Sequence, residues 1–129
     1  MAAKTQHEYA VYLFEQGYFE DAGKLLEEIL GEEETGERWS DWATAQIARG
    51  HFAEAERGFR RALELSPESS DAAVNFGTLL ASLHRWEEAI TMLERALPRL
   101  EPQGRTVVSS FVEHCRAQIA TTAQRPARR

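Results

Sequence analysis

Apolar residues recur along this chain at helical spacing in six blocks, and the blocks come in pairs. The first member of each pair follows an i, i+3, i+4, i+7 pattern: Gln6, Tyr9, Ala10, Leu13; then Trp39, Trp42, Ala43, Gln46; then Ala73, Phe76, Gly77, Leu80. The second members are Ala22, Leu26, Ile29, Leu30; Ala55, Phe59, Ala62, Leu63; and Ala89, Leu93, Ala96, Leu97. Between the members stand three related strings, Gly17-Tyr18-Phe19-Glu20-Asp21-Ala22, Gly50-His51-Phe52-Ala53-Glu54-Ala55 and His84-Arg85-Trp86-Glu87-Glu88-Ala89. Their alanines lie 33 and then 34 residues apart. A repeat of that period reads as three pairs of amphipathic helices, each pair joined by a tight turn. A seventh stripe, Val107, Val108, Phe111, Cys115 and Ile119, predicts one more helix after the last pair. The helices predicted in this way span 3–15, 19–30, 38–48, 53–65, 70–82, 87–97 and 105–121.

The turn residues have a physical reason. Gly17 and Gly50 can end a helix in the left-handed conformation because they carry no Cβ. His84 holds the third such position and would adopt the same backbone at some cost. Ala10, Ala43 and Gly77 are small, as close approach of two helices demands. Phe19, Phe52 and Trp86 are expected to fill the space beside the turns. Pro67 and Pro102 are expected to stop the chain between pairs. One helix pair cannot bury both of its apolar faces; stacking neighbouring pairs buries them.

This pattern resembles the tetratricopeptide repeat. The unit 36–69 matches that motif at Trp39, Trp42-Ala43, Gly50, Phe52, Ala55, Phe59, Ala62 and Pro67. The unit 70–103 matches at Phe76-Gly77, Trp86, Ala89 and Ala96, with its proline displaced to Pro102. The unit 3–35 keeps Ala10, Gly17, Phe19 and Ala22 and lacks the closing proline. The resemblance implies an all-α fold, a right-handed α-solenoid of three repeats, with 105–121 as a capping helix whose polar residues face outward. The repeats and cap would form one domain over 1–121, leaving 122–129 as a disordered basic tail.

Charge narrows the set of partners. Of 129 residues, 43% are hydrophobic and 28% charged, and the net charge is −6. It is distributed as −7 over 1–36, −3 over 37–103 and +4 over 104–129. An acidic body repels phosphate, so no nucleic-acid partner is expected. No apolar run is long enough to cross a bilayer, and the N-terminal stretch is too polar for a secretory signal, so no membrane role is expected and a cytoplasmic location is. The single cysteine, Cys115, excludes an intramolecular disulfide and is expected to pack in the cap stripe. The acid run Glu32-Glu33-Glu34 is expected to be a solvated loop. Glu56 with Arg60, and Arg60 with Glu64, are expected helix-surface pairs.

Catalytic chemistry is not expected. His7, His51, His84 and His114 are scattered, and no two stand at the i, i+4 spacing of a helical metal site, so neither a metal nor a cofactor is predicted. His114 and Cys115 are adjacent and would point about 100° apart on a helix. No glycine-rich phosphate loop is present.

The family resemblance instead implies a groove lined by the first helix of each repeat, in which peptides or helices of partner proteins bind. The positions it selects here are His7, Glu8, Val11, Phe14 and Glu15; Glu37, Asp41, Thr44 and Ile47; and Asp71, Val74, Asn75 and Thr78. Some members of the family clamp a C-terminal carboxylate with Lys, Asn and Arg on these faces. The matching positions here are His7, Val11, Asp41, Asp71 and Asn75, and an Asp where an anion must sit is unfavourable. The expected function is therefore a non-catalytic scaffold or adaptor, not a carboxylate clamp, with a groove suited to a basic, partly apolar peptide or helix. The alternative is a structural self-assembler that forms a homo-oligomer through its ends or its cap.

Overall fold

A computed structural model describes residues 5–124. Among them are seven α-helices and no strand: α1 (Gln6–Glu15), α2 (Phe19–Glu32), α3 (Gly36–Ala48), α4 (Phe52–Leu65), α5 (Ser70–Ser82), α6 (Trp86–Ala96) and α7 (Pro102–Ala123), with a 3-10 turn at Leu97–Arg99 before α7. The chain forms two compact units, 1–72 and 73–129, so that the boundary falls within α5.

Two kinds of start signal alternate along the chain. Helices α1, α3 and α5 open on a hydroxyl cap. Thr5 accepts from the Glu8 N–H, Thr35 from the Arg38 N–H and Ser69 from the Ala72 N–H, which satisfies donors that a helix start leaves free. Helices α2, α4 and α6 have no such cap. They begin two residues after a left-handed residue: Gly17 at φ 89, Gly50 at φ 80 and His84 at φ 60. Each turn closes with the same pair of bonds. The N–H groups of Gly17 and Tyr18 reach Phe14 and Leu13; those of Gly50 and His51 reach Ile47 and Gln46; those of His84 and Arg85 reach Ala81 and Leu80. This is the Schellman arrangement, in which the second residue past the helix reaches back five positions. The expectation for His84 holds, at the cost that a Cβ brings to that region.

In the first unit α1 packs on α2, α2 on α3, and α3 on α4. Ala10, Leu26, Ile29 and Ala45 form its core, with Phe14, Leu25 and Trp42 packed against them. Closeness here depends on missing side chains. A Cβ added at Gly58 of α4 would sit 2.9 Å from the Ala43 Cβ and 2.9 Å from Trp42 Cε3. Gln46 is fully buried at a polar core position. Its amide donates to Glu54 and pairs with His51 Nδ1 at 3.2 Å, and its oxygen accepts from Arg49 at 2.9 Å, so burial leaves neither end unpaired. In the second unit α6 packs on α7, and Gly77 lets α5 lie against Leu93 and Ala89 of α6.

Several expectations need correction. Gln6 is exposed and Tyr9 is 48% exposed, so Ala10 alone of the α1 set is fully buried. Phe52 is exposed at 43% beside its turn. In the cap helix the buried stripe is Val108, Val112 and Cys115, while Val107 points outward; a helix cannot bury neighbours 100° apart against one narrow face. Pro102 starts α7 rather than stopping the chain, because the first helical position needs no N–H. Residues 122 and 123, assigned to the tail from sequence, continue α7, while 1–4 (including Lys4 at the predicted helix start) and 125–129 lie outside the described residues.

The acid run is exposed to solvent, as expected, and is also tied down by hydrogen bonds. Arg38 donates to the Ile29 and Glu33 carbonyls at 2.7 and 2.8 Å. Glu34 accepts from Trp39 Nε1 at 2.9 Å and from Arg61 on α4 at 3.2 Å, and those bonds hold its carboxyl below the usual range. The Glu56–Arg60 pair forms at 2.9 Å, and Glu64 meets Arg61 at 2.9 Å.

Candidate functional site

Helix pairing in the first unit brings α1 alongside α3 and sets acidic residues of both helices together. His7 of α1 meets Asp41 of α3, with Nε2 and Oδ2 2.6 Å apart. Asp41 is half-buried and sits one turn beyond Glu37 on the same face. Burial pushes the Asp41 carboxyl up; the His7 hydrogen bond and charge pull it down, and the charges of Glu37 and Asp71 push it up again. Removal from water is the largest of these influences, so an ionised Asp41 is held at a local electrostatic disadvantage.

A hollow of about 500 Å³ adjoins this pair, lined by Thr5, His7, Glu8, Val11, Tyr12, Glu15 and Glu37. Five of those seven, His7, Glu8, Val11, Glu15 and Glu37, were selected from sequence. Thr5 and Tyr12 are additions: the sequence pattern places Thr5 inside a helix spanning 3–15, whereas it caps α1 from outside. Its hydroxyl spacing to Glu8 is a capping signal that could have placed it at the helix mouth.

The remaining selected residues fall elsewhere. Phe14 turns toward the core, its ring centroid 5.1 Å from that of Phe19. Thr44 is half-buried, its hydroxyl donating to the Ser40 carbonyl at 3.0 Å, and Ile47 is half-buried on the same helix. Asp71 is exposed at the start of α5 and close enough to Asp41 to act on its charge. Val74, Asn75 and Thr78 belong to the second unit; Val74 is half-buried, Asn75 and Thr78 exposed, with Thr78 bonded to the Val74 carbonyl at 2.8 Å.

The single thiol offers no chemistry. Cys115 is fully buried in the α7 stripe, and burial pushes its pKa up, away from the reactive thiolate.

Three phased helix pairs, each closed by the same left-handed turn, define a tetratricopeptide-repeat protein. The comparisons agree. The chain belongs to the family of the cilia and flagella-associated protein 70 middle TPR-like domain, which matches residues 3–115. No curated protein matches the chain by sequence. Among solved structures it is similar to the type III secretion translocator chaperone SycD of Yersinia enterocolitica, with a TM-score of 0.81 at 16% identity, covering 89% of this chain and 83% of that one. It is similar to the first TPR of Spaghetti (RPAP3) bound to the HSP90 peptide SRMEEVD, with a TM-score of 0.80 at 22% identity, covering 89% and 90%. SycD in complex with a peptide of the translocator YopD gives 0.77 at 18% identity, covering 88% and 91%. At these identities the likeness establishes the fold, and that fold is one solved with peptides of partner proteins bound. No helix among the described residues is long and apolar enough to cross a membrane.

Proposed function

We propose that this protein is a non-catalytic interaction module that binds a basic, partly apolar peptide or helix of a partner protein along the acidic face of α1 and α3. The observation that carries this reading is the gathering of Glu8, Glu15 and Glu37 around a hollow that Val11 also lines, with Asp41 beside it against His7 and Glu37. Carboxylates gathered against a half-buried aspartate favour a cationic side chain, and apolar Val11 favours the stem of a Lys or Arg. The same charges disfavour an acidic tail such as SRMEEVD, the peptide carried by one of the similar structures, so the carboxylate-clamp mode is not proposed here. A cytoplasmic setting accords with a lone cysteine kept as a buried thiol.

The test is fluorescence anisotropy with two labelled peptides of equal length, one alternating Lys or Arg with Leu, the other SRMEEVD. The basic peptide is expected to bind more tightly, with affinity falling as salt rises. Asp41→Lys with Asp71→Lys is expected to weaken it at least about fivefold, since two attractive pairs become repulsive. Glu37→Lys with Asp71→Lys changes only exposed residues and serves if the first pair disturbs folding. Unchanged affinity and salt dependence in both variants would refute the reading.

A further inference from the structure

The cluster that shapes this face has a second capacity, independent of any peptide. We infer that His7, Glu37 and Asp41 form a binding site for a divalent transition-metal ion, zinc being the ion whose ligand chemistry fits best. One imidazole nitrogen and one oxygen from each carboxylate lie within 4.8 Å of one another. Zinc holds nitrogen and oxygen ligands at about 2.0–2.2 Å, so tetrahedral ligands lie roughly 3.3–3.6 Å apart. His7 and Asp41, now 2.6 Å apart, would open by somewhat less than about 1 Å. The widest pair would close by about 1.5 Å at most. Glu37 is exposed and long enough to supply that movement by rotation alone.

The walls suit an ion as well. The side chains of His7 and Asp41 are 18% and 36% exposed, so two ligands are held by packing while the Glu37 side stays open for water and for entry from the hollow. Asp41 faces two further carboxylates and a loss of solvent, and His7 is the neighbour that favours its charge. A dication there offsets the repulsion among these carboxylates. One nitrogen with two oxygens is a borderline set that prefers zinc and its neighbours in the transition series to magnesium or calcium, whose ligands are all oxygen.

The site was invisible to spacing rules because its members come from two helices, with His7 and Asp41 34 positions apart. Within α1 or α3 no pair of histidines exists to signal it.

The experiment uses the whole chain, stripped with chelator and titrated with zinc chloride in a calorimeter, with magnesium as the comparison ion and no peptide present. One zinc per chain is expected, with magnesium bound at least about tenfold more weakly. His7→Gln and Asp41→Asn should each weaken zinc at least about tenfold. His51→Gln and His114→Gln should leave it unchanged. Amide and imidazole NMR shifts on zinc addition should centre on His7, which reports the site even if one variant folds poorly. Absence of saturable zinc binding, or equal affinity in wild type, His7→Gln and Asp41→Asn, would overturn the inference. Neither result bears on peptide binding, which is measured separately.

Discussion

Two glycine-to-alanine changes, one on α2 and one on α4, should move stability in opposite directions. Gly31 lies near the end of α2, where an added Cβ meets nothing within 4 Å. Gly31→Ala should therefore stabilise by about 0.5–1 kcal/mol, through helix propensity and reduced freedom of the unfolded chain. Gly58 gains the same from those sources, but its Cβ would stand 2.9 Å from both Ala43 and Trp42. Carbon atoms prefer about 3.5–4.0 Å, so α3 and α4 must part or Trp42 must tilt. Overpacking of this kind costs about 1–3 kcal/mol. The difference between the two variants, about 1–3 kcal/mol, isolates the interhelical contact because the local terms nearly cancel. Urea unfolding followed by tryptophan fluorescence should show a midpoint roughly 1 M lower for Gly58→Ala than for Gly31→Ala, taking a slope near 2 kcal/mol/M. If Gly58→Ala proves as stable as Gly31→Ala, the close packing argued for α3 and α4 is wrong.

Two further outcomes are expected. Glu34 has its carboxyl pKa held down by Arg61 and Trp39. A lowered folded-state value means that its contribution to stability is present at neutral pH and is lost as pH falls through that value, below about 4.3. Glu34→Gln should thus be less stable than wild type at pH 7, the gap closing toward pH 3 in paired thermal melts; a gap that stays constant contradicts the ion-pair account. Cys115, fully buried and with its pKa raised, should resist iodoacetamide in the native protein and react promptly in urea, as followed by intact mass. Fast native labelling would show that the buried stripe of α7 is not packed as described.

Much of the fold was legible because its signals are local. A glycine at Gly17 or Gly50, and the periodicity that aligns His84 with them, speak for a left-handed turn within six residues. The cap register was less legible: Val107 and Val108 are equally apolar, and only contact with α6 decides which one is covered. Tyr9 scored as core because spacing cannot tell an inner repeat from one with a helix face left open. The site shows the same divide. Glu37 and Asp41 share a face by simple i, i+4 arithmetic, whereas the meeting of His7 with Asp41 depends on how α1 lies against α3. Arg61 reaching Glu34, 27 positions away, is likewise a product of packing between helices.

The alternation of hydroxyl caps with left-handed turns means that the start of each helix from α1 to α6 is written in the few residues beside it. A ribosome releasing this chain would expose each hairpin with its own instructions complete, able to close before the next one emerges. Such proximity in sequence favours rapid acquisition of structure, and domains made during synthesis order from the N-terminal side first. Because α1 precedes α3 in the chain, His7 and one wall of the acidic hollow emerge before the α3 residues that complete it have been made.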